Sequence, residues 1–144
     1  MAETAFQTIT TSAPMARVWA IATDFEKYPE WAKDVKEAAV RTRDDQGRAL
    51  EVEFRTSALG RSTHYTLLYD YANAPAVLGW HLLRGDIMRS IEGGYHFTEL
   101  ADGGVEIRYE LAIELVVPLP GFVKRRAEQR ILNTVRELKV RAES

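Results

Sequence analysis

The sequence predicts an α+β domain in which one antiparallel sheet carries a long helix on a single face. Two observations predict this class. Six consecutive segments between residues 36 and 115 alternate apolar and polar side chains with a period of two. A final segment from about Phe122 to Arg141 has apolar residues every three or four positions, the spacing of an amphipathic helix. Because a one-sided sheet and an amphipathic helix each need a covering partner, we expect the helix to pack on the apolar face of the sheet.

The chain begins with a predicted strand, which two short helices follow. Alternation from Ala5 to Thr10 predicts the strand. Ser12 is placed to cap a helix in whose first turn Pro14 is tolerated, because proline lacks the amide hydrogen that would be unpaired there. The apolar stripe of this helix is Met15, Val18, Trp19 and Ala22. Asp24 is expected to cap a further turn that Pro29 ends.

Short, turn-rich connections separate the six later strands, as is typical of antiparallel neighbours. The predicted strands are Lys36–Arg43, Ala49–Thr56, Ser62–Tyr71, Ala76–Leu83, Ile87–Glu99 and Val105–Leu115. The last of them alternates most regularly, since its odd positions are all apolar and its even positions are charged except for Ala112. That pattern indicates a sheet with one covered face and one solvated face.

The composition predicts one ordered domain over residues 1–144 and disfavours several function classes. The chain is 46% hydrophobic and has a net charge of -2, so a general nucleic-acid binder is not expected. Cysteine is absent, which excludes disulfides and cysteine-ligated metals. The sequence shows neither a signal peptide nor an apolar run long enough to span a membrane. We therefore expect a cytoplasmic protein with no transmembrane segment and no nucleic-acid partner.

Short strings spread over the whole chain carry a family resemblance. In chain order the strings are Ser12-Ala13-Pro14, Val18-Trp19, Thr23-Asp24-Phe25-Glu26-Lys27-Tyr28-Pro29-Glu30-Trp31, Gly94-Tyr95-His96-Phe97, Gly103-Gly104 and Pro118-Leu119-Pro120-Gly121-Phe122. Together they resemble the polyketide cyclase/dehydrase and lipid-transport family of the START-related helix-grip (SRPBCC) superfamily. The resemblance implies a curved seven-stranded sheet that grips the C-terminal helix, with an apolar cavity between them. Members include aromatic polyketide cyclases, quinone- and lipid-binding proteins and a toxin acting on ribosome association, so function must be argued from the site.

Successive side chains of a strand point to opposite faces, so every second residue lies on the same face, a property we call strand parity. Strand parity predicts which side chains face the helix and line such a cavity. The ligand-binding candidates are Phe54, Tyr65, Tyr69, Trp80, Arg89, Tyr95, Phe97 and Tyr109 on the strands, with Ile131 and Val135 on the helix. A mostly apolar lining with a few placed polar groups is typical of ligand pockets. The alternative is that the aromatic rings only fill a core.

The charged and imidazole side chains divide between the two faces of the predicted sheet. Arg89 shares the parity of its apolar neighbours, so it is expected inside, near the mouth or against a carboxylate of an adjacent strand or the ligand, with a solvated rim position as the alternative. His64, His81 and His96 are out of phase and are expected on the outer face, which disfavours a metal site. The basic start of the long helix is expected to be solvated, with an anionic partner as the alternative. Its members are Lys124, Arg125, Arg126 and Arg130.

Three functions remain open at this point. The favoured one is binding or transport of a small hydrophobic ligand, such as a lipid, a quinone or an aromatic polyketide-like molecule, with no cofactor and no metal. The second is an aromatase/cyclase in which Arg89 stabilises an enolate and Tyr65 or Tyr109 relays protons. The third is a protein-partner role like that of the ribosome-association toxin. No catalytic motif separates them, and the sequence also leaves a weak homodimer open.

Overall fold

The computed structural model describes the main chain of residues 3–58, 61–116 and 120–144. The side chains of these residues are described as well, except at positions 3, 58, 61, 122–124, 127, 128 and 131. The strands are β1 (Glu3–Thr11), β2 (Val35–Arg43), β3 (Ala49–Ala58), β4 (Arg61–Asp70), β5 (Val77–Gly85), β6 (Met88–Glu99) and β7 (Val105–Leu115). The helices are α1 (Met15–Thr23), a 3-10 helix (Phe25–Glu30) and α2 (Gly121–Glu143).

Within these ranges seven strands form one antiparallel sheet in the order β1-β7-β6-β5-β4-β3-β2. From β2 to β7 each strand pairs with its neighbour in sequence, while β1 pairs with β7. We call the face turned toward α2 the inner face and the opposite one the outer face. The predicted α+β class is confirmed, and the strand and helix boundaries differ from the expected ones by at most two residues. Alternation was sufficient because most strands bury one face, although the edge strand β2 has no fully buried residue among those described.

The C-terminal end of α2 is tied to β1 and α1. The Nε of Arg17 donates to the carbonyl of Ala142 (3.2 Å), and its Nη2 donates to that of Arg141 (3.3 Å). These donors satisfy carbonyls that have no partner inside the helix. The hydroxyl of Thr11 donates to the carboxylate of Glu143 (2.6 Å). In the described part of the chain, no helix has both the length and the apolarity needed to cross a bilayer.

The capping predictions for the two short helices are wrong. Pro14 is itself the N-cap of α1, and no side chain caps that helix. Ser12 lies two residues earlier, too far away to reach the free amides, and its own amide donates to Glu143 (3.4 Å). Asp24 likewise makes no side-chain cap at the 3-10 helix. Pro29 lies inside that helix instead of ending it, because the fixed φ of proline suits 3-10 geometry.

Gly93 on β6 permits a close approach between three strands. It lies opposite Trp80 on β5 and Leu111 on β7. A Cβ at this position would lie 2.4 Å from the carbonyl oxygen of Glu110 and 2.9 Å from Nε1 of Trp80. The indole can therefore lie against β6 only because residue 93 has no side chain.

We expect Gly93→Ala to lower the free energy of unfolding by about 1–3 kcal/mol, because the main chain must shift to accommodate the added methyl group. Urea denaturation followed by circular dichroism measures the change. Gly79→Ala on the neighbouring strand is the matched control, since a Cβ there meets no atom closer than 3.8 Å. Equal losses from the two substitutions would show that the contact at Gly93 is unimportant.

Candidate functional site

A cavity of about 200 Å³ lies between the inner face of the sheet and α2. The aromatic side chains that line it are Tyr28, Phe54, Tyr65, Tyr69, Trp80, Tyr95 and Tyr109. On the helix side the lining includes Arg130 and Thr134. An apolar cavity of about 150 Å³ in another protein holds one benzene molecule. The hollow expected under the long helix is therefore present, and it has room for a molecule of one or two rings.

Trp80 is the centre of the aromatic wall. Its ring centroid lies 5.3 Å from that of Tyr95, 5.8 Å from that of Tyr109 and 5.9 Å from that of Tyr69. Tilted and edge-on ring pairs at such separations attract each other beyond the gain from burial alone. These rings lie together because each occupies an inward-facing position on one of four adjacent strands, β4 to β7. The wall is therefore a packed surface that does not need a ligand to hold its shape.

Burial keeps the tyrosine hydroxyls of the cavity protonated. It raises the pKa of Tyr65 to about 12, against a small opposing effect of a hydrogen bond with Thr56. The pKa values of Tyr69, Tyr95 and Tyr109 are also raised above the ordinary value. Burial is the largest cause, and the neighbouring phenols are the second. These groups are neutral near pH 7 and act there as hydrogen-bond donors, not as bases.

Two of these hydroxyls have no hydrogen-bond partner in the described part of the protein, namely those of Tyr69 and Tyr109. In contrast, the hydroxyl of Tyr28 donates to the carbonyl of Ala22 (2.6 Å). Neither oxygen is fully enclosed by protein atoms, since both keep accessible surface where these residues line the cavity. The cavity thus offers two neutral donors that a guest molecule can satisfy.

An ion pair between Asp34 and Arg130, which we call the rim ion pair, borders the cavity. Nη2 of Arg130 lies 2.5 Å from Oδ1 of Asp34, and Nε lies 3.2 Å from Oδ2, so the guanidinium grips both oxygens. The two side chains are 52% and 27% exposed, Arg130 being the more exposed. This pairing raises the pKa of Arg130. Among the described lining residues, these two carry the formal charges.

Parity on the strands did not find every lining residue. The unpredicted members are Tyr28, Asp34, Val35, Ser57, Met88, Arg130 and Thr134. Tyr28 and Asp34 precede β2, where no alternation applies. The helical spacing contained a signal for Arg130, because this residue lies beside Ile131 of the apolar stripe and one turn before Thr134.

Arg89 lies on the outer face, and its predicted inward position is wrong. Its side chain is 62% exposed and lies 3.6 Å from the carboxylate of Glu114. The pairing of β6 with β7 shifts register between Met88 and Ser90. This bulge reverses the parity, so Met88 is buried and lines the cavity while Arg89 faces outward.

Two other predicted lining residues, Phe97 and Val135, are not among the described members of the cavity wall. Phe97 is on the inner face, but it stacks on Tyr95 (5.6 Å between centroids) and packs against Trp19 (6.1 Å), because α1 covers that end of the sheet. Val135 is fully buried in the core, where α2 packs directly on the sheet. The side chain of Ile131 lies outside the described residues.

The outer face carries the three histidines, as the alternation predicted. His64 and His81 are exposed, and Nε2 of His96 lies 3.6 Å from the carboxylate of Glu110. Across the described residues, no group of three or more His, Asp or Glu side chains is arranged to hold a metal ion. At the start of α2, Arg125 and Arg126 are exposed as expected, and the side chain of Lys124 is outside the described set.

The sequence match is to a single family and covers most of the chain. A family model described as polyketide cyclase / dehydrase and lipid transport matches residues 11–138. The chain belongs to this family. No curated protein is a significant match.

The fold of this family member is shared by several solved structures. A START superfamily protein from Mycobacterium smegmatis superposes with a TM-score of 0.88 at 23% identity, over 97% of both chains. The Zhui aromatase/cyclase from a Streptomyces species gives 0.82 at 14% identity, over 99% of this chain and 94% of that one. A Thermus thermophilus protein gives 0.81 at 19% identity, over 97% of both. The helix-grip fold is confirmed, and at these identities the similarity concerns the fold alone.

The raised tyrosine pKa values give a direct spectroscopic test. All six tyrosines are shifted above the ordinary value of 10, with burial as the largest cause. We expect the folded protein to show little phenolate absorbance at pH 10, where the urea-unfolded chain should be about half ionised. Several phenolates in the folded protein at that pH would contradict the buried positions of these rings.

The same shifts predict how stability depends on pH. Above pH 10 the unfolded chain loses tyrosine protons that the folded protein still holds, because Tyr65 and Tyr71 ionise in the folded protein only at about 12. The free energy of unfolding should therefore fall as the pH rises from 10 toward 12. Urea titrations at a series of pH values measure this slope, and a flat profile over that range would be inconsistent with the shifts.

Proposed function

We propose that this protein binds or carries a small, hydrophobic, oxygen-bearing ring compound in the cavity beneath α2. The observation that carries the proposal is a cavity of about 200 Å³ walled by aromatic rings, in which the hydroxyls of Tyr69 and Tyr109 lack partners among the described residues. An apolar wall with a few convergent polar groups is the usual composition of a ligand pocket. Phe54, Tyr65, Trp80 and Tyr95 would supply the ring contacts.

The unpaired hydroxyls favour a ligand with acceptor oxygens. A ketone, quinone or phenol oxygen can accept from Tyr69 or Tyr109 and so supply the hydrogen bond that the described residues do not. A pure hydrocarbon leaves them unpaired. The ligand should therefore be a compact aromatic or polycyclic molecule with at least one carbonyl or hydroxyl group.

Cavity size argues against a long-chain lipid held wholly inside. Pockets for drug-sized ligands commonly measure about 300–1,000 Å³, and this cavity is smaller, at about 200 Å³. A long acyl chain would have to extend past the rim ion pair into water. We therefore favour a one- or two-ring compound over a lipid.

Binding is also better supported than the aromatase/cyclase alternative. That alternative assigned enolate stabilisation to Arg89, whose side chain is on the outer face beside Glu114. It assigned proton relay to Tyr65 or Tyr109, whose pKa values burial raises well above neutrality, so neither readily serves as a base near pH 7. The hydroxyl of Tyr109, which lines the cavity, instead supports donation of a hydrogen bond to a bound ligand.

We expect Tyr109→Phe to weaken the binding of 2-acetylnaphthalene about 3- to 10-fold, because the ketone oxygen loses one neutral donor while the ring contacts remain. Isothermal titration calorimetry measures the dissociation constants. Tyr71→Phe is the control, since that hydroxyl donates to the carbonyl of Ala49 (2.6 Å) and does not line the cavity. The control should reduce stability and leave the affinity unchanged.

Two results would contradict the proposal in different ways. Failure of the wild-type protein to bind 2-acetylnaphthalene, together with the absence of any co-purified small molecule in native mass spectrometry, would overturn ligand binding. Unchanged affinity in Tyr109→Phe would remove the donor role of that hydroxyl and leave Tyr69 as the remaining candidate donor beside the ring contacts.

A further inference from the structure

We propose that the rim ion pair makes the cavity select ligands whose polar head is neutral over ligands whose head is a carboxylate. The inference rests on the proposed function, because it specifies the ligand class that the same cavity takes. Its basis is the position of Asp34 and Arg130, which are the charged members of the described cavity lining and neutralise each other there.

An anionic head would gain little from Arg130. Both oxygens of Asp34 already face the guanidinium, at 2.5 and 3.2 Å. A ligand carboxylate placed against Arg130 would therefore lie close to the carboxylate of Asp34 as well, so that attraction is offset by repulsion of similar size. It would also lose part of its hydration on entering the rim.

A neutral head can use both members of the pair at once. A guanidinium has five N–H donors, and a carboxylate has about four acceptor positions. The contacts within the pair occupy two of each. A hydroxyl or primary amide can accept from Arg130 and donate to Asp34, whereas a ligand carboxylate can only accept.

The local structure holds Asp34 where it repels such an anion. Its carbonyl accepts the amide of Ser57 on β3 (2.8 Å). The preceding amide, of Lys33, donates to Glu137 on α2 (3.0 Å). Asp34 is thus fixed between the sheet and the helix, and an anionic ligand would have to separate it from Arg130 in order to reach the guanidinium.

The test compares 2-naphthamide with 2-naphthoate, which have the same rings and nearly the same shape but differ in charge at neutral pH. We expect the wild-type protein to bind the amide about tenfold or more tightly than the acid. Asp34→Asn removes the repelling charge at nearly constant shape, so the affinity for 2-naphthoate should rise about 10- to 100-fold and the preference for the amide should shrink or reverse. Calorimetry gives the constants, and thermal melts confirm folding.

Glu37→Gln is the matched control, because it removes one negative charge from β2 at a residue that pairs with Arg55 and lies outside the cavity lining. It should leave both affinities unchanged. If the affinity for 2-naphthoate rises equally in Asp34→Asn and Glu37→Gln, the change in net charge accounts for the effect and the inference is overturned.

The remaining outcomes separate this inference from the proposed function. Equal wild-type affinity for the amide and the acid, or no gain for the acid in Asp34→Asn, overturns the selectivity and leaves the cavity a binding site. Binding of 2-acetylnaphthalene without binding of 2-naphthamide also overturns it, because a neutral polar head is then not accepted. Failure of all three compounds to bind, together with the absence of any co-purified small molecule in native mass spectrometry, overturns the proposed function itself.

Discussion

The packing of one half of α2 against the sheet is the constraint on which the rest of the structure depends. Val135 and Leu138 are fully buried, and Arg17 and Glu143 fasten the same end of the helix to α1 and β1. Thr134, next to Val135, and Arg130, about one turn nearer the N-terminus, line the cavity. The described part of α2 therefore closes the core through Val135 and Leu138 and borders the cavity through Thr134 and Arg130.

The chemistry of the cavity follows from the cost of burying charge. An unpaired ion inside an apolar wall is expensive, whereas a neutral phenol needs only one hydrogen-bond partner. The uncharged polar groups of the lining are accordingly tyrosines that burial keeps protonated, together with Thr56, Ser57 and Thr134, and the charged groups, Asp34 and Arg130, lie paired at the rim. A compact neutral molecule with acceptor oxygens matches this distribution of donors and charges.

Membership of the polyketide cyclase/dehydrase and lipid-transport family accounts for the architecture, while the ligand has to be argued from this chain's own side chains. The superposed structures share 14–23% identity with it, a level at which the sheet and the helix are retained and the lining is free to change. The packing of Trp80 against Gly93 and the rim ion pair are therefore described from the structure of this chain and not from the superposed structures.

The sequence by itself determined the strands, the long helix and the facing of most rings, because alternation and helical spacing are local properties that burial on one side imposes. Thus Tyr65, Trp80 and Tyr109 were expected inside and line the cavity, and His64 and His81 were expected outside and lie there. Only the tertiary structure decided the rest. The outward turn of Arg89 depends on a bulge set by pairing with β7, and the rim ion pair joins residues 96 positions apart. Neither the position of a bulge nor an ion pair between distant residues leaves a pattern in the local sequence, because each depends on where another part of the chain packs.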